Sequence, residues 1–339
     1  MKRVARLIAI GAAAAVAVAG CSKPDTSTAG SAASAAPADK KLSIGFFGFA
    51  KANSFAQATW AGIQEYANAN NAEATFLDSN FDGPTQVNQL QDAVTSKRYD
   101  VVIVQANDGT AMVNPVKQAV AAGITVVVEF TPVGGKYDTA DPQVAGTVNI
   151  IDPPTVNGDG LAKLGIEACK SAGAATGCKV AYLQGFANYP LDTARTKAAV
   201  DALKAGGAAE VISNFVGGYT PDAGRGAMQN LLQAHPDVNV VIGSSQALEG
   251  ATPLASGKKI TFVGNGGSTQ AYGFVNDGTW YGVYSVPEKK SGAKAAELGL
   301  AKARGQSVPD STVVCTTLTT FNCLGTKTSL QGQTADYSD

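Results

Sequence analysis

Three stretches decide the fold: LSIGFFGF at residues 42–49, VVIVQ at 101–105 and ITVVVE at 124–129. Each is too short for a typical globular helix and is rich in β-branched or aromatic residues, so each reads as a strand buried on both faces. Residues 74–77 (ATFL) read as a fourth. The intervening segments have helical spacing: Phe55, Thr59 and Ile63 share one face, Val87, Leu90 and Val94 follow Pro84, and residues 112–121 run up to Gly123. After residues 144–149 the rhythm restarts, with strands expected at 179–184, 210–215, 238–243, 260–264 and 280–286. Helices are expected between them at about 156–171, 192–205, 222–234 and 288–304. Strands alternating with helices imply a parallel sheet covered on both faces, and two such series imply two doubly wound α/β domains. Ligands of such sheets bind beyond the carboxyl ends of the strands, so two facing domains would share a cleft.

The composition agrees with a large folded core, since 45% of the 339 residues are apolar and only 16% are charged. With 26 basic against 27 acidic side chains there is no overall positive field to hold a phosphate backbone, which argues against a nucleic-acid partner. The first 20 residues read differently. Lys2, Arg3 and Arg6 precede an apolar run over residues 7–18. That run is shorter than the ~20 residues a membrane span needs, and its order is that of a secretory signal. It ends in VAGC at residues 18–21, which resembles the lipobox of bacterial lipoproteins and makes Cys21 the expected lipid anchor. Removal of residues 1–20 would leave 23 basic and 27 acidic residues, a net charge of −4. Residues 21–40 contain no aromatic and no large aliphatic residue and read as a disordered tether. As a coil, a tether of this length spans roughly 25 Å.

The other four cysteines form two close couples, Cys169 with Cys178 and Cys315 with Cys323. An even number in an exported chain suggests disulfides, and pairing within each couple is the simplest of three connectivities. Zinc is the rival reading, but neither couple has a tight ligand spacing and the only histidine, His235, is distant from both in sequence. No metal or cofactor is therefore expected. Nor is an enzyme: no nucleophile elbow, zinc-protease helix or phosphate-binding loop occurs. His235 precedes Pro236 and reads as a helix terminus, and GNGG at 264–267 reads as a turn beside a cleft.

Several segments carry a family resemblance. LSIGFFGF at 42–49 followed by NSF at 53–55, MQNLLQAHPD at 228–237, and VG at 263–264 followed by VNDG at 275–278 together resemble type I periplasmic solute-binding proteins of the ribose-binding branch. The resemblance spans most of residues 41–310. It implies two doubly wound parallel-sheet domains joined by a three-segment hinge and closing on a small molecule for an ABC permease. The implied parts are a signal peptide at 1–20, a tether at 21–40, one lobe of 41–148 plus 286–310, and another of 149–285 plus 311–339.

Carried over by position, the resemblance places Asn53 and Phe55 on the first binding loop, Glu129 and Phe130 where an Asp-Arg pair is usual, and Arg195 and Tyr219 on the second domain. Ser245, Gly266 and Ser285 stand where Asn, Asp and Gln are common, with Gln246 and Asn265 as neighbouring substitutes. Read physically, Arg195 donates, Glu129 accepts, Asn53 does both, and Phe55, Phe130 and Tyr219 offer flat apolar faces, a set suited to a neutral, partly hydroxylated molecule. Trp60, Tyr189, Tyr272 and Trp280 read equally as core and are not assigned. The implied protein is a monomeric, exported, lipid-anchored receptor for a monosaccharide or polyol, bound to the membrane through Cys21. The alternative is a ligand-presenting sensor that docks on a chemoreceptor or kinase.

Overall fold

A computed structural model describes residues 39–335 and 337–339. The signal segment, Cys21 and all but the end of the expected tether lie outside the described residues. The first lobe is built from β1 (Leu42–Gly48), α1 (Ser54–Ala69), β2 (Ala72–Asp78), α2 (Gly83–Ser96), β3 (Val101–Val104), α3 (Val113–Ala121), β4 (Thr125–Phe130) and β5 (Val148–Ile151). The second follows with α4 (Pro154–Ser171), β6 (Lys179–Gln184), α5 (Pro190–Ala205), β7 (Glu210–Val216), α6 (Pro221–Ala234), β8 (Val240–Ser244), α7 (Ser245–Ala251), β9 (Thr261–Asn265), α8 (Thr269–Asp277) and β10 (Trp280–Tyr284). The chain then returns through α9 (Glu288–Ala303) and β11 (Ser311–Val313), and ends in α10 (Val314–Leu318) and β12 (Leu324–Thr326).

The first sheet has the order β11-β5-β4-β3-β1-β2 and every pairing is parallel. The second has the order β12-β10-β9-β8-β6-β7, parallel except for its edge strand β12. The expected boundary at 148/149 falls inside β5 and that at 310/311 just before β11, and both strands belong to the first sheet. The passages between lobes therefore lie after Ile151, after Tyr284 and after Val313.

Each strand's alternating side chains feed two layers. In the first lobe Ile44, Phe46, Val101, Ile103 and Val127 face α1 and α9. Val102, Val104, Val126 and Val128 cluster instead with Leu90, Met112 and Val116 of the opposite helical layer. Helices α1 and α9 touch backbone to backbone: a Cβ on Gly62 would stand 1.9 Å from the Lys289 carbonyl oxygen. Helix starts are fixed by side-chain caps, Asn53 accepting from the Ala56 N–H at 3.0 Å and Asp82 from the Thr85 N–H at 2.7 Å.

Both cysteine couples pair locally. Cys169–Cys178 ties the end of α4 to the start of β6, and Cys315–Cys323 closes a loop within the third passage between lobes. His235 is the C-cap of α6, its N–H donating to the Leu231 carbonyl.

The disulfides generate a stability prediction. Replacing Cys169 and Cys178 together by Ser should lower the unfolding free energy by about 2 to 3 kcal/mol through the freed denatured chain. Urea unfolding read by tryptophan fluorescence measures it, and an unchanged midpoint would show that this crosslink adds no stability.

Candidate functional site

Because all but one of the strands run parallel, the loops after them gather at one rim of each sheet. A cavity with about 560 Å³ of empty space lies there, between the lobes. The first lobe contributes Phe49 and Asn53 after β1, Phe55 in α1, Phe81 after β2, Asn107 after β3 and Phe130 at the end of β4. The second contributes Phe186, Tyr189 and Arg195 after β6, Tyr219 after β7, Gln246 after β8 and Asn265 ending β9. Phe81 and Phe130 have φ of 57° and 59°, a left-handed backbone uncommon for bulky residues and found chiefly where function constrains the chain.

The aromatic rings brace one another. Phe130 is edge-on to Phe55 at 4.8 Å and to Phe49 at 6.3 Å, while Phe186 is edge-on to Phe81 at 5.3 Å and to Tyr219 at 5.2 Å. The walls also meet directly. Phe81 stacks on Tyr219 at 6.2 Å, the Tyr189 hydroxyl donates to the Phe81 carbonyl, and Gln246 Nε2 donates to Ser54 Oγ at 3.1 Å.

Arg195 stands on α5 one turn after Asp192, and its Nη2 donates to Asp192 Oδ1 at 2.6 Å and to the Tyr219 hydroxyl at 3.1 Å. The Tyr219 hydroxyl donates to the same carboxylate oxygen, and the Phe186 N–H donates to Oδ2 at 2.7 Å. Burial works against the charge on Arg195, but Tyr219 and Asp192 beside it hold its pKa above the ordinary arginine value. Burial is also the main reason the Tyr219 hydroxyl is pushed well above its usual range, so it stays protonated. This wall is an internally compensated charge pair. Only glycine fits at 185 beside it, since a Cβ there would lie 2.4 Å from both Asp192 Oδ2 and the Tyr219 hydroxyl.

Seven of the ten expected ligand residues line the cavity: Asn53, Phe55, Phe130, Arg195, Tyr219, Gln246 and Asn265. Three do not. Glu129 is fully buried outside the cavity lining, where its carboxylate accepts from Gln105 Nε2 at 3.0 Å and Ser291 Oγ at 2.7 Å. The left-handed backbone at Phe130 breaks the strand's alternation and sets its ring against Phe55 in the cleft, while Glu129 is held by its two buried partners and does not reach it. Ser245 is buried at the start of α7, its hydroxyl 3.4 Å from Gln246 Oε1. Ser285 pairs with the Tyr272 hydroxyl at 2.8 Å beside a separate cavity near the second passage.

Phe49, Phe81, Asn107, Phe186 and Asp192 line the cavity without being expected from the sequence, and Tyr189, which reads there equally as core, lines it too. The signal for most of them was positional, because each loop following a parallel strand borders the ligand. For Asp192 it was the three-residue spacing to Arg195 within one helix. Among the described residues no group of three or more His, Cys, Asp or Glu side chains is placed to hold a metal ion. None of their helices is long and apolar enough to cross a membrane.

The cavity lies between the strand ends of two parallel-sheet lobes, the place where folds of this class bind small molecules. Residues 44–307 match the model of the periplasmic binding protein domain, and the chain belongs to that family. Its fold is that of a type I periplasmic binding protein. The ribose import binding protein of Escherichia coli (strain K12) is 27% identical over 253 residues, covering 73% of this chain and 80% of that one. Its counterpart in Bacillus subtilis (strain 168) is 24% identical over 244 residues, covering 70% and 74%. Among solved structures, an ABC transporter solute-binding protein of Agrobacterium vitis with bound D-fucose superposes with a TM-score of 0.73 at 20% identity, covering 88% of this chain and all of that one. One from Mycobacterium smegmatis with bound glycerol gives 0.70 at 21%, with the same coverage.

Glu129 sets a pH dependence. Complete burial raises its carboxyl from 4.5 to about 7, against the opposing hydrogen bonds from Ser291 and Gln105. The folded protein therefore keeps a proton that the unfolded chain releases, and this residue's contribution to stability falls as pH rises from about 4.5 to about 7. Glu129→Gln should flatten that part of the profile and stabilise the protein above pH 7. Urea unfolding at pH 5, 6 and 8 tests the sign, and a variant with an undiminished slope would exclude Glu129 as its source.

Proposed function

We propose that this chain is an exported, lipid-anchored receptor that captures a monosaccharide or polyol between its lobes and delivers it to an ABC importer, working as a monomer. The observation that carries the reading is the cavity itself. Apolar rings from both lobes line it, and Asn53, Asn107, Arg195, Gln246 and Asn265 supply polar groups among them. Rings of this kind cover the C–H faces of a sugar-sized molecule and the polar groups select its oxygens. The family and the names of the similar proteins support the substrate class, since these include proteins for ribose import and structures with bound D-fucose, glycerol and, in a Caulobacter protein, myo-inositol.

The lobes are linked in a way that suits closure. Asp152, just after β5, accepts from the Tyr284 hydroxyl at 3.0 Å, joining the first and second passages. It also accepts from Asn157 Nδ2 at 2.8 Å, and the same nitrogen reaches Asn265 Oδ1 at 3.3 Å. A ligand touching both walls favours the closed arrangement through contacts the open one lacks. Anchoring through Cys21 rests on the sequence, in which a basic start, a short apolar run and the terminal VAGC occur in that order.

A thermal-shift screen of sugars, polyols, nucleosides and small acids tests the function, because a ligand at 100 times its Kd adds ~2.7 kcal/mol. Stabilisation only by nucleosides or acids would refute the substrate class. For the ligand found, Arg195→Ala should weaken binding more than a hundredfold, as several charge-assisted hydrogen bonds are lost together. Asn53→Ala should weaken it less. Calorimetry giving near-native affinity for both variants would place the site elsewhere. Cys21→Ala should release the protein from membranes or leave an uncleaved precursor, and unchanged partitioning with unchanged mature mass would refute the anchor.

A further inference from the structure

The cavity's hydrogen-bonding groups are unevenly divided between donors and acceptors, and internal contacts fix which way each amide faces. Asn53 spends its Oδ1 on capping α1, so Nδ2 is left for a ligand. Asn157 Nδ2, already committed as a donor to Asp152, donates to Asn265 Oδ1 at 3.3 Å, which leaves Asn265 Nδ2 available. Only Nη2 of Arg195 is engaged within the protein, leaving Nε and Nη1 as donors.

The acceptors are mostly spent. Asp192 is the only carboxylate among the lining residues, and both its oxygens already receive hydrogen bonds, from Arg195 and Tyr219 on one and from the Phe186 N–H on the other. Gln246 Oε1 receives the Ser245 hydroxyl at 3.4 Å. The Tyr189 hydroxyl, a donor to the Phe81 carbonyl, keeps lone pairs to accept with, and the acceptor with no partner at all is on Asn107. Its Nδ2 donates to Ser79 Oγ at 2.7 Å, and Ser79, itself a donor to the Gly48 and Phe49 carbonyls, fixes that orientation. Its Oδ1 is buried with no partner in the protein, and Asn107 is 1% exposed.

We propose that the ligand is a neutral, sugar-sized ring whose oxygens serve chiefly as acceptors, a deoxygenated or O-methylated sugar or cyclitol, with a hydroxyl directed to Asn107 Oδ1. This rests on the solute-binding reading above and sharpens it. Ether, methoxy and carbonyl oxygens satisfy Arg195, Asn53 and Asn265 without bringing hydrogens of their own. A ligand with many hydroxyls brings more donors than the few open acceptor positions can take, and a buried unpaired donor costs more than the bond it displaces. A methyl or methylene group in the same place meets Phe49, Phe81 or Phe130 instead. Charge is excluded by the wall, since Arg195 is already compensated by Asp192 and a ligand carboxylate would be desolvated beside both.

Calorimetry on matched pairs decides between the alternatives: D-mannose and D-rhamnose, D-galactose and D-fucose, myo-inositol and its mono-O-methyl ether, with D-galacturonate as the charged arm. The expected result is at least tenfold tighter binding of the deoxy or O-methyl member in each pair that binds, with galacturonate weakest. Asn107→Ala should weaken that member severalfold to tenfold. Equal affinities, preference for the fully hydroxylated members, tight galacturonate binding, or indifference to Asn107→Ala would each overturn this inference while leaving a solute-binding protein. Binding of none of these compounds would overturn both.

Discussion

Parallel pairing is the constraint on which the rest depends. A strand paired in parallel to its neighbour sends its following loop to the same rim, and two such sheets turned toward each other bring eight of these loops around one space. No single segment carries the site. Phe49, Phe81, Asn107 and Phe130 are spread over some 80 residues of sequence but follow four strands that lie side by side in the first sheet. The helices that return the chain are what make this possible, and their close approach at Gly62 is a condition of the sheet being covered at all.

Much of this was legible. Apolar runs, rich in Phe in β1 and in Val in β3 and β4, marked these strands because buried parallel strands need apolar residues on both faces. The strand read at 144–149 lies instead at Val148–Ile151, because Val144 is buried within a loop and apolar character alone does not separate the two cases. Helix α8 was not foreseen, since TQAYGFVND mixes Gly, aromatic and β-branched residues of modest helix propensity. Its ends were nevertheless marked, by the cap on Ser268 and by Gly278 with φ of 85°. At the site, residue types read well where a whole side chain follows a strand and poorly where buried neighbours compete for it. Glu129 is the example, a charged residue beside the cleft whose carboxylate is taken by Gln105 and Ser291, partners distant in sequence.

The Asp192–Arg195–Tyr219 cluster shows how a buried charge can be retained without making the cavity charged. Arg195 keeps its donors toward the ligand, while its countercharge is held on the same helix and fixed by a backbone N–H. The guanidinium is thereby oriented before any ligand arrives, which lowers the ordering cost of binding.

Residues 288–326 have a consequence for when the protein can fold. Helix α9 covers β3 and β4 of the first sheet, β11 supplies that sheet's edge, and β12 supplies the edge of the second. Each lobe is thus completed by residues that come after all the other strands of its sheet in the chain. A chain emerging from the ribosome has neither sheet finished, and the apolar face that α9 will cover stays bare until residue 303 has appeared. Such a polypeptide can be threaded through a narrow channel in an extended state, with its assembly deferred to the far side.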